Sequence, residues 1–143
     1  MATANLNCDL LTITARINYL NDKILTLQSQ KSLSLYSQQD LASLKLSEIS
    51  DARSYYKEIW ENDLSLQDKY TTYTEIPDFE EQIDLITAKY ADKMEELTAW
   101  ETIIDQQITT ASAELEEAKA WRDSFKTMLN SNIQDEYSFG LDQ

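Results

Sequence analysis

Residues 71–81 read Thr71-Thr72-Tyr73-Thr74-Glu75-Ile76-Pro77-Asp78-Phe79-Glu80-Glu81. A polar connection ends at Pro77, and three carboxylates follow within four positions. Proline fits the first turn of a helix, where its missing N–H leaves no bond unmade, and negative charge there complements the helix dipole. The stretch therefore predicts a turn over 71–77 and a helix from 78. Pro77 is the single proline and Gly140 the single glycine of the 143 residues, where average usage would supply roughly seven and ten. Sheets, hairpin turns and phosphate loops draw on glycine because it reaches positive φ without steric cost. One reversal near the midpoint of a chain otherwise without breakers predicts an all-α fold. The expected form is an elongated antiparallel helical hairpin or coiled coil, in a single helical domain over 1–143. A three-helix bundle with uneven helix lengths is the alternative, since residues 6–33 could fold back on the rest.

Upstream of the turn, Leu6, Leu10, Ile13, Ile17, Leu20, Ile24 and Leu27 are spaced 4, 3, 4, 3, 4, 3. This heptad places them on one helix face. Extending the register brings Lys31, Ser34, Gln38 and Lys45 to positions that want apolar residues. The stripe resumes at Ile49, Ala52, Tyr56 and Ile59, then Leu66, Tyr70 and Tyr73. The first arm is thus expected over 6–73, with candidate breaks near 29–37 and 61–64. At the first, Ser37 and Asp40 resemble a weakened capping box; at the second, Asn62 ends one piece and Asp63 starts the next.

Downstream, Ile83, Ile86, Tyr90, Leu97, Trp100, Ile104, Ala111, Ala118, Trp121, Phe125 and Met128 continue the seam. Met94, Ile108, Leu115 and Leu129 form a flanking line, and Lys93, Gln107 and Glu114 interrupt the seam. Trp100 and Trp121 read as packing residues. The second helix is expected over 78–130, followed by a tail over 131–143. The residues taken to carry the helix–helix seam are Leu10, Ile13, Ile17, Leu20, Ile24, Ile83, Ile86, Tyr90, Leu97, Ile104 and Phe125.

The formal net charge is −14, and it is unevenly spread. Residues 1–73 carry 7 Lys/Arg against 9 Asp/Glu, whereas residues 74–143 carry 5 against 17. A chain this acidic lacks the basic face on which nucleic acids and anionic membranes dock. No apolar run is long enough to span a bilayer, so no membrane insertion is expected. The first 15 residues lack a basic region and carry Asp9 in their only apolar stretch. The chain is expected to be cytoplasmic, or exported without a cleaved signal peptide.

Histidine is absent, and Cys8 is the only cysteine. That removes the commonest general base and metal ligand, and with them ordinary zinc sites and nucleophile triads. The carboxylate groups Glu80-Glu81, Glu95-Glu96 and Glu114 with Glu116 and Glu117 read as solvated helix faces, and Cys8 as a small apolar residue near a helix start. No catalytic, metal or cofactor-binding residue is assigned, and the chain is not expected to be an enzyme.

Six of the 14 aromatics, Tyr55, Tyr56, Trp60, Tyr70, Tyr73 and Phe79, fall in 25 residues around the reversal. They either close the end of the hairpin core or form an interaction tip, since Tyr and Trp anchor interfaces at low entropic cost. The expected function is that of a non-enzymatic structural or interaction protein, a coiled-coil hairpin subunit of a homo-oligomer or filament. Its partner would be self or another helical protein. In layout, and only in kind, the chain resembles the glycine-poor helical hairpins of needle and flagellar secretion systems, which implies a component or secreted helical protein of a signal-peptide-independent export system. An acidic adaptor or holdase-type chaperone gripping clients through the tip is the third reading.

Overall fold

The computed structural model describes residues 2–141 and is all-α, 96% helical with no strand among the described residues. Helix α1 runs Ala2–Asn62, a short α2 Leu64–Lys69, a 3-10 turn Tyr73–Glu75, and α3 Pro77–Leu141. The two long helices pack against each other as a hairpin. By contacts, the chain forms two compact units. Among the described residues, unit 1 pairs 2–31 with 103–141; unit 2 comprises 32–102 and contains the reversal.

α1 is unbroken through 29–37, so residues 6–33 continue along α1 instead of turning back as the three-helix alternative requires. No breaker lies in that stretch, and one continuous backbone ladder avoids the orphan groups that each new helix end would create. The break near 61–64 falls at Asp63. Its carboxylate accepts from Ser65 N at 2.9 Å and Leu66 N at 3.4 Å, capping α2. The Gln67 amide donates to the carbonyls of Trp60 and Glu61 at 3.0 and 2.9 Å, satisfying the carbonyls that α1 leaves open.

The reversal needs no glycine because no residue in it adopts positive φ. It is built instead from extended residues: Asp63, Tyr70, Thr72 and Ile76. Ile76 is held extended by the ring of Pro77, which crowds the preceding residue out of the helical region. α3 then starts on Pro77 with Asp78 and Glu80 in its first turn.

At the other end α3 extends to Leu141, so residues 131–141 are helix where a tail was expected; residues 142 and 143 lie outside the described residues. No proline or αL glycine stops α3 at 130, and Thr3 Oγ1 donates to Glu136 at 2.9 Å within unit 1.

In unit 1 the core is Ile17, Leu20, Leu115 and Ala118, with Ile13 and Ile24 packed against it. Ile104 and Ala111 are also buried there. In unit 2, Ile76, Phe79, Ile86 and Tyr90 are buried. Pairings within each unit run antiparallel: Arg16 with Glu114 and Lys31 with Asp105 in unit 1, Gln38 with Glu101 and Glu48 with Lys89 in unit 2.

Candidate interaction surfaces

Of the eleven seam residues, Ile17, Leu20, Ile86, Tyr90 and Ile104 are buried, and Leu10, Ile13, Ile24, Ile83, Leu97 and Phe125 are half-buried. Three further residues read as seam are corrected. Trp100, Trp121 and Met128 are 37%, 52% and 49% exposed. The line taken as flanking is the inward one: Leu115 is buried, and Met94, Ile108 and Leu129 are half-buried. The inward face of α3 has moved by one residue between Ile86 and Met94. A straight helix drifts against a seven-residue repeat, so residues that hold the old line end on the flank. Lys93 and Gln107 are exposed for the same reason, and Glu114 is half-buried.

Three of the four polar residues on α1's seam, Lys31, Ser34 and Gln38, have partners on α3, and Lys45 is half-buried. Lys31 Nζ lies 2.8 Å from Asp105 Oδ1. Ser34 is wholly buried, and its hydroxyl donates to the Leu97 carbonyl at 3.4 Å. Gln38 Nε2 donates to Glu101 at 2.8 Å and to Ser34 Oγ at 3.5 Å. Further along unit 2, Lys89 Nζ donates to Glu48 at 3.2 Å, and the Tyr90 phenol interacts with the same carboxylate. The Tyr90 hydrogen bond first, then that of Lys89, holds the Glu48 carboxyl below its ordinary range. Burial first, and then the Glu48 hydrogen bond, pushes the Tyr90 phenol up. The ammonium groups of Lys89 and Lys93 sit 5.2 and 5.7 Å from the Tyr90 ring centroid. Sequence spacing flags Gln38 and Ser34 by their seam positions, but it carries no signal for Glu48 or Glu101, whose roles depend on which residues face each other across the hairpin.

The aromatic group at the reversal is mostly packed. Phe79 is buried, Tyr56, Trp60, Tyr70 and Tyr73 are half-buried, and Tyr55 is 60% exposed. Tyr55 meets Tyr56 edge-on at 5.2 Å, Tyr56 meets Phe79 at 5.6 Å, and Tyr73 meets Phe79 at 5.5 Å. These edge-to-face geometries suit ring quadrupoles in a core. Trp60 Nε1 donates to the Tyr70 carbonyl at 3.2 Å, tying the end of α1 to the residue that leaves α2. Burial, and then the negative field of Asp78, raises the Tyr56 phenol pKa. An open cleft beside the group is lined by Glu48, Asp51, Tyr55, Tyr56, Gln82 and Ile86.

Large apolar side chains also stand in solvent on the outer side of α1, among them Leu11, Tyr19 and Leu25 in unit 1 and Leu33, Tyr36 and Leu44 in unit 2. At 100° per residue Leu11, Tyr19, Leu25, Leu33 and Tyr36 fall well away from the seam, and Leu44 lies on its flank. On α3, Trp121 stacks on Phe125 with centroids 5.7 Å apart and planes at 29°. Cys8 is exposed on α1. The acidic runs at Glu80-Glu81, Glu95-Glu96 and Glu116-Glu117 are exposed. Among the described residues, no group of three or more His, Cys, Asp or Glu converges on a metal position, and no helix is long and apolar enough to cross a membrane.

Protein-family models, curated proteins and solved structures offer no match to this chain.

Proposed function

We propose that the chain is a non-enzymatic structural or interaction protein, a helical-hairpin subunit that assembles with further copies of itself. The observation that carries this reading lies on the surface. On α3 of unit 1, Trp121 and Met128 stand two turns apart and about half exposed, with Phe125 half-buried between them. Isolated apolar side chains on a surface are ordinary, but contiguous ones are typical of interaction faces. Two packed helices bury one face each and leave the flanks for a neighbour, which a second hairpin of the same kind can supply.

The test is sedimentation velocity of the full chain over a hundredfold range of concentration. A sedimentation coefficient that rises to a plateau supports assembly. A single slow species at every concentration rejects it.

A further inference from the structure

We propose that a second copy of the chain docks on the cleft of unit 1 between Ile13 and Arg16 of α1 and Glu114, Glu117 and Trp121 of α3, in a two-fold pairing. This inference rests on the self-assembly reading and adds the face.

The cleft joins apolar anchors to both signs of charge. Trp121 is 52% exposed on its rim, and Met128, two helical turns further along α3, is 49% exposed. Phe125 stacks on Trp121 and fixes its ring, which lowers the entropy lost when a partner covers it. Exposed aromatics of this kind carry a large share of interface energy. Arg16 stands on the α1 wall, and Glu114 and Glu117 on the α3 wall. Arg16 Nη2 already reaches Glu114 at 3.4 Å, while Glu117 makes no ion pair among the described residues.

Charge selects the occupant. Within unit 1 the α1 segment 2–31 carries three Lys/Arg and two Asp/Glu, and the α3 segment 103–141 carries three and seven. A two-fold axis parallel to the helices turns the α1 wall of one copy toward the α3 wall of the other. Arg16 of each copy is then opposite the second copy's Glu117, and the near-neutral segment faces the acidic one. A basic partner of another kind would be drawn instead to residues 77–102, with two Lys against eight Asp/Glu, rather than to a mixed-sign cleft. The pairing also keeps the two acidic α3 segments from facing each other directly.

The test compares molar mass and far-UV circular dichroism of the full wild-type chain with three variants. Trp121→Glu with Met128→Glu is expected to weaken association at least about thirtyfold, the size of a lost hot spot, while helicity stays at the wild-type level. Leu11→Glu with Leu25→Glu, on the opposite side of α1, is expected to leave the mass unchanged. Because the aromatic variant could lose helicity, a charge swap gives an independent reading: Arg16→Glu alone weakens association, and Arg16→Glu with Glu117→Arg restores it. If the aromatic variant keeps the wild-type mass, or the swap fails to restore it, this face is overturned while self-assembly stands. If wild type is monomeric throughout, the self-assembly reading itself has failed.

Discussion

Gln38 Nε2 lies 2.8 Å from Glu101 Oε2 and 3.5 Å from Ser34 Oγ, so a single amide nitrogen joins the two helices of unit 2 across their seam. Polar groups at seam positions contribute little net stability against water, but they are satisfied in one register only. Lys31 with Asp105 repeats the device in unit 1. A hairpin with apolar residues at every seam position could slide by a heptad with small loss; these pairs remove that freedom.

Removing one partner is therefore expected to cost more than removing both. Gln38→Ala leaves Glu101 without its donor and should lower unfolding free energy by about 1 kcal/mol. Gln38→Leu with Glu101→Leu should return stability to the wild-type level or above it. Urea titration of both variants checks this, and a double variant less stable than the single one would contradict it.

The core of unit 1 is a steeper test of packing. Leu20 is 0% exposed, and Leu20→Ala should cost about 2–5 kcal/mol through lost burial and the cavity left behind. Leu11, 73% exposed on the same helix, should tolerate alanine within about 0.5 kcal/mol. Equal losses at the two positions in chemical denaturation would mean that the inward face is misassigned.

Asp63 accepts two first-turn amides of α2, those of Ser65 and Leu66, and stands where α1 ends. Asp63→Ala should destabilise unit 2 by about 1 kcal/mol, with Asp63→Ser recovering most of it. Amide hydrogen exchange at Ser65 and Leu66 reads the effect locally. Protection unchanged in the alanine variant would show that the cap does not hold the turn.

The sign of the Glu48 response to pH follows from its depressed folded-state pKa. The unfolded carboxyl takes up its proton at higher pH than the folded one, so the stabilisation is present above the ordinary carboxylate pKa. It is lost as pH falls through the folded value. Glu48→Gln should flatten this part of the acid limb of the stability profile. For Tyr90 the shift is upward, so its contribution holds at neutral pH and is lost as alkaline pH passes the folded value. Thermal unfolding across pH checks both, and an acid limb unchanged in Glu48→Gln would remove the Glu48 account.

Much of the fold is legible in residues 71–81 and in two heptad lines, because a chain with one proline and one glycine has few places to turn. Pro77 and Asp63 are readable as caps since their chemistry is local. The end of α3 is not readable, because residues 131–141 lack both a stop signal and a strong apolar stripe. Spacing alone does not place Trp121 and Met128, because a one-residue drift of the inward face is invisible until two helices are packed. Ser34 and Gln38 announce themselves as polar intruders, yet Leu97, Glu101 and Asp105 become their partners only through the register. The aromatic group at the reversal is legible as a cluster. Which rings face inward depends on the path from Asn62 to Pro77, and no spacing rule gives that path.

The measurement that bears most directly on the proposed assembly is molar mass by light scattering after size exclusion, over a hundredfold range of concentration and at low and raised salt. The account predicts a mass that climbs to a defined multiple of 16.5 kDa, reached at lower concentration when salt screens the net charge of −14. A constant mass of 16.5 kDa under every condition would contradict it.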